Sequence, residues 1–157
     1  VTADIGTGLD AATRLAVARV AVEHGRPVRL AIRGRSMLPM LREPMTIEVR
    51  ALRGAARTGD VLVFRAGDVY VAHRVIGRAG EVYFTCGDAQ PDVVERVEPA
   101  DLLGRVEAVW SDASPGAVRV DSAFHRLRGL LYAHVRTARL SARRLAGRVR
   151  RLRAKEI

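Results

Sequence analysis

Between Gly59 and Asp88 the chain reads GDVLVFRAGDVYVAHRVIGRAGEVYFTCGD. Three runs rich in β-branched and aromatic residues alternate with RAGD and GRAG, both of which supply turn chemistry. This stretch commits the middle of the chain to a β-meander, and its flanks continue the pattern. PVRLAIRG sets Val28, Leu30 and Ile32 against Arg29, Ala31 and Arg33, a half-buried strand ending at Gly34. MTIEVRAL and DLLGRVEAVW supply one further strand each.

Helical patterns stand at either end. In DAATRLAVARVAVEHG, Ala11, Leu15, Ala18 and Val22 share one face. Asp10 is suited to the N-cap, and Gly25 with Pro27 ends the helix. SDASPG marks a boundary near Pro115. Beyond it Phe124, Leu127, Leu131, Val135, Ala138, Ala142, Leu145, Val149 and Leu152 recur at three- and four-residue steps among arginines, an amphipathic basic helix. The expected class is therefore α+β: a domain over residues 1–115, with a helix over about 10–24 and a β-rich core over about 27–110, followed by a basic helical tail over 120–157.

Charge divides the chain in the same place. Residues 121–157 carry ten arginines and Lys155 against Asp121 and Glu156, a net +9, whereas sixteen arginines against fifteen acids leave residues 1–120 at +1. The two parts call for different partners. Cys86 is the one cysteine, which excludes an internal disulfide framework and a cysteine-built zinc site; no metal or cofactor is expected. VTADIGTGLD is acidic and lacks a signal-type apolar stretch, and the best apolar run, LAVARVAV, is broken by Arg19. The expectation is a cytoplasmic protein.

Ser36, in IRGRSMLPML, stands just after a strand, in a turn between Gly34 and Pro39. A nucleophilic serine needs a base that can take its proton. Lys155 is the only lysine and lies near the C-terminus, so histidine is the candidate. His125 and His134 fall in the arginine-rich tail, and His24 closes the first helix, where capping is the ordinary role. His73 shares strand parity with Val69, Val71 and Val75; parity alone favours a satisfied core histidine over a base. TCGDAQPDVVE then offers Asp88 and Asp92, either of which could orient the imidazole, although GDAQPD is also plain turn chemistry.

GRSMLPML, TGDVLVF, AHRVI and FTCGDAQPD together resemble the signal peptidase I and LexA-like superfamily of serine endopeptidases, over residues 28 to 107. The histidine form is similar to the archaeal and endoplasmic-reticulum-type branch, which uses Ser-His-Asp in place of Ser-Lys. The resemblance implies Ser36 as nucleophile, His73 as general base, and Asp88 or Asp92 as the acid. It also implies that the Ser36 N–H stabilises the oxyanion, that Gly34 admits substrate closely, and that Met37 and Pro39 shape the substrate-binding edge. Gly59 and Asp60 would pin the turn before the next strand.

The chain departs from the family at several points. A helix stands where signal peptidases carry a membrane anchor, REPM replaces an expected GD after the serine motif, and Cys86 replaces a basic residue before the second GD. The style is that of small unanchored bacterial members linked to precursor-peptide maturation, so the expected substrate is a precursor or leader peptide. The tail would supply membrane attachment instead: basic residues each add ~1 kcal/mol at an anionic surface, here the inner membrane surface. Nucleic acid fits it less well, since Phe124 and Tyr132 are its only aromatics. The competing functions are a peptide-binding module that does not cut, and a nucleic-acid-associated regulator acting through the tail.

Overall fold

A computed structural model describes residues 2–4, 11–111, 114–120 and 125–131. The elements run β1 (Thr2–Asp4), α1 (Ala11–Glu23), β2 (Val28–Arg33), β3 (Met45–Arg50), β4 (Val61–Ala66), β5 (Val69–Ala79), β6 (Val82–Gly87), β7 (Gln90–Val97), a 3-10 turn at Pro99–Asp101, β8 (Leu102–Ser111) and β9 (Ser114–Arg119). Residues 125–131 are helical. The β-rich, antiparallel architecture with α1 in front agrees with an α+β class.

The strands form one sheet in the order β1-β2-β3-β8-β4-β5-β6-β7, with β9 on β8. A second pairing, Thr2 opposite Val71, joins β1 to β5 and closes a ring through β2, β3, β8 and β4. Long β5 belongs to two layers. Its first half pairs with β4 (Val61↔Arg74 to Ala66↔Val69), and its second half pairs with β6.

β4 explains how one sheet holds two cores. Val61 and Val63 face a cluster containing Leu30, Ile32, Ile47, Val49, Val106 and, from α1, Ala18 and Val22. Leu62 and Phe64, on the opposite face, join Ala56, Val75, Tyr83 and Val97. The first four β4 side chains are all buried, which is why VLVF reads as a continuous apolar run where β2 alternates. α1 ends as its sequence suggests: Gly25, at φ 74°, donates to the Val22 carbonyl, and Arg26 donates to that of Ala21. His24 Nδ1 lies 2.8 Å from the Val20 carbonyl in that last turn. Asp10 lies outside the described residues.

Two expectations need correction. The sheet does not stop near Pro115, because β9 folds back on β8 with Val109↔Val118 and Ala108↔Arg119 in register, and Val120 is buried in the first core. The stretch after Gly87 is not only a turn: Gln90–Val97 forms β7 on β6. Pro91 is accommodated because β7 ends the strand order, where one side of the backbone needs no ladder partner. Among the described residues no helix is long and apolar enough to cross a membrane.

Candidate active site

The loop from Gly34 to Pro44 carries Ser36 and is fixed from both sides. Gly34 takes φ 93°, a conformation open to glycine, and its N–H donates to Glu43 Oε1 at 2.7 Å, tying the two ends of the loop together. Met37 and Leu41 are fully buried in the first core, with the Leu41 N–H on the Met37 carbonyl. Met37 is thus an anchor of the loop, and the expected place for it on a substrate-binding edge is corrected. Pro39 and Gly34 are exposed beside it.

Against this loop packs the β6–β7 turn. Ala89 N–H donates to the Ser36 carbonyl at 2.7 Å. A Cβ at Gly87 would stand 2.7 Å from that carbonyl oxygen, 3.1 Å from Ser36 Cβ and 3.3 Å from His73 Nε2. Glycine is required here for close approach: any side chain would part the serine from the histidine.

His73 Nε2 lies 3.0 Å from Ser36 Oγ. The ring is buried, 5 % exposed, with Phe64 edge-on at 6.2 Å. Its other nitrogen, Nδ1, meets Glu95 Oε2 on β7. A carboxylate can only accept, so Nδ1 carries the proton and Nε2 is left as an acceptor for the serine hydroxyl. Thr85, fully buried on β6 and opposite Glu95, donates to the same oxygen at 3.4 Å. Three adjacent strands thus line up imidazole, hydroxyl and carboxylate.

The acid facing the histidine is therefore neither of the two aspartates read from the sequence. Asp88 is sealed in a different pair. Its two oxygens accept from Arg74 Nε at 2.6 Å and Nη2 at 2.7 Å, with both side chains 1 % exposed. Arg74 Nη1 donates to the Gly59 carbonyl, and Nη2 also meets the Met40 sulfur. A carboxylate held bidentately by a buried guanidinium has its lone pairs engaged and is not available to turn an imidazole. Asp92 is exposed on β7. Glu95 was missed because GDAQPD and Pro91 draw the eye to a turn. The parity of Glu95 with buried Val97 was the available signal.

Gly59 and Asp60 do pin a turn. Gly59, at φ 95°, donates to the Val75 carbonyl, the Val75 N–H returns to Asp60, and Asp60 Oδ2 accepts from the Arg57 N–H. The helical segment 125–131 docks on this platform. Arg126 Nη1 reaches Asp60 Oδ1 at 3.4 Å, and Gly129 packs its backbone directly on the Arg74 guanidinium, leaving no room for a Cβ. Leu127 and Leu131, on the apolar stripe of this segment, stand 66 % and 63 % exposed. His134 and the remainder of the tail lie outside the described residues. Cys86, between the two charge clusters, has its thiol pushed up to about 11 by burial first and by Asp88 second. It is a neutral thiol at physiological pH and no rival nucleophile.

Set against known proteins, the chain matches no family model and no curated protein.

Proposed function

We propose that this chain is a serine endopeptidase that cuts a precursor or leader peptide. The observation that carries the reading is the relay Ser36 Oγ–His73 Nε2 at 3.0 Å with His73 Nδ1 on Glu95. Ser36 attacks the peptide carbonyl as its hydroxyl proton passes to His73 Nε2. The imidazolium returns that proton to the leaving amine, which departs and leaves an acyl-serine. Water, deprotonated by His73, then releases the acid and restores the hydroxyl. Glu95 holds the tautomer and balances the imidazolium charge. The resemblance of GRSMLPML, AHRVI and FTCGDAQPD to signal-peptidase and LexA-like enzymes supports the same reading, as does a β-rich core that brings these motifs together. In this branch Glu95 would take the place of the aspartate.

The tail fits a peripheral role at the anionic, cytoplasmic face of a membrane. Net +9 over residues 121–157 is joined to an apolar pair, Leu127 and Leu131, turned away from the docking contact.

The test is cleavage mapping of a diverse peptide library by mass spectrometry with wild type, Ser36→Ala and His73→Ala. Cuts confined to wild type are expected, with each variant slower by roughly 10⁴-fold or more. Equal cutting by all three proteins would overturn the assignment. A wild type that binds peptides without cutting would make the chain a binding module. Because only neutral imidazole accepts the proton, cleavage should also fall on acidification.

A further inference from the structure

Among the described residues β1 is the shortest strand of the sheet, and it is the one that closes it. Thr2, Ala3 and Asp4 pair with Arg33, Ile32 and Ala31 of β2, and Thr2 also lies opposite Val71 of β5. Take β1 away and β2 faces β5 across a gap one strand wide, about twice the ~4.8 Å spacing of paired strands. Both bordering strands run antiparallel to β1, so they point the same way. Each leads to the proposed chemistry at that end: Ser36 follows Arg33 by three residues, and His73 follows Val71 by two. The end of β1 nearest the pair is Thr2.

We propose that this gap is the slot into which an extended peptide segment adds as a strand, and that residues 2–4 occupy it as an autoinhibitory strand that substrate must displace. The identity of the displacing segment rests on the endopeptidase reading; the slot and its resident strand do not. A strand between two others finds backbone partners on both sides whatever its sequence, which is how sheet-edge peptide sites obtain affinity. The three described residues of β1 supply few ladder bonds, each of modest net worth against the entropy of ordering the chain. A longer segment making the same bonds over more residues outcompetes them. Covalent attachment offsets this by raising the local concentration of the resident strand. The expected consequence is a KM raised by the reciprocal of the fraction of molecules whose slot is open, with kcat untouched once substrate is bound.

The experiment uses the full chain with Thr2→Pro and Ala3→Pro together. Successive N–H groups of a strand point to opposite neighbours, so the two prolines remove one donor toward each side. The expected result is a roughly tenfold lower KM for a cleaved peptide, unchanged kcat and an unchanged unfolding midpoint. In parallel, a fluorescent nonapeptide of residues 1–9, VTADIGTGL, is titrated into the same proline variant carrying Ser36→Ala and followed by anisotropy. Saturable binding there, weaker in the Ser36→Ala protein without the prolines, supports the slot even if no peptide is ever hydrolysed, in which case the endopeptidase reading alone falls. Hydrolysis with KM unmoved by the prolines and no binding of the nonapeptide overturns the slot. A variant that loses kcat and stability together, or does not fold, makes β1 a structural closure and overturns it as well.

Discussion

His73 and Arg74 are neighbours on β5, point to opposite faces, and each meets a carboxylate from the β6–β7 region; yet the two pairs are built for different ends. Arg74 and Asp88 are both 1 % exposed, joined by two short hydrogen bonds, with the remaining guanidinium donors on Gly59 and Met40. Such a pair has both carboxylate oxygens and all three guanidinium nitrogens engaged. His73 is equally buried, but its partner Glu95 keeps a side chain 29 % exposed, and its free nitrogen ends on a half-buried serine. That pair keeps one acceptor directed at a group that can react. The comparison teaches that burial of a charged pair marks architecture when every polar atom of the pair has a fixed partner, and chemistry when one is aimed at a group that can react. The helical segment 125–131 reinforces the first role by laying Gly129 over Arg74.

The sharpest way to break the comparison is to neutralise each acid in turn. Glu95→Gln should cut kcat by roughly 10⁴-fold, the scale on which a Ser-His-acid relay depends on its acid, while urea unfolding stays near wild type. Asp92→Asn, the exposed control, should change neither. If Asp92→Asn carried the kinetic loss instead, the assignment of the orienting acid would be wrong. Asp88→Asn should do the reverse and lower stability by about 3–5 kcal/mol, because it leaves a buried guanidinium uncompensated. Replacing both partners, Arg74→Met with Asp88→Leu, should recover much of that loss, measured as the urea midpoint at constant m value. No recovery would mean the pair does more than hold the Ser36 loop against β6.

The smallest expected effect is read at Cys86. With its thiol raised from 9.0 to about 11, the folded chain keeps a proton that the unfolded chain releases. Stability contributed by this group is intact below pH 9 and declines as pH rises from 9 toward 11. Alkylation by iodoacetamide should therefore be slow in the native protein at pH 9 and rise toward pH 11, while the urea-unfolded chain reacts readily at pH 9. Fast native alkylation at pH 8 would show that the buried side of the comparison is open.

Much of the molecule was legible before any coordinates. Alternation of Val28, Leu30 and Ile32 against arginines marks β2, the RAGD and GRAG turns mark the meander, and Gly25 ends α1, because each is a property of a few neighbouring residues. The scarcity of lysine made histidine the base for any reactive serine, and parity set His73 among the apolar side chains of β5. Two things remained out of reach. β9 looked like a boundary because its exposed valine and arginine give no clean period, and only pairing with β8 makes it a strand. Asp88 and Asp92 both read as candidates for the orienting acid because the GDAQPD turn is conspicuous, whereas Glu95 lies in an edge strand disguised by Pro91. The sequence by itself determined most of the strands and turns, since these follow from local sterics and periodicity. It offered Ser36 and His73 as nucleophile and base through the near absence of lysine and the family resemblance. Tertiary structure decided which carboxylate meets which cation, because that depends on the register of β5, β6 and β7 together. It also decided that Gly87 packs against Ser36 and His73, where any Cβ would keep nucleophile and base apart.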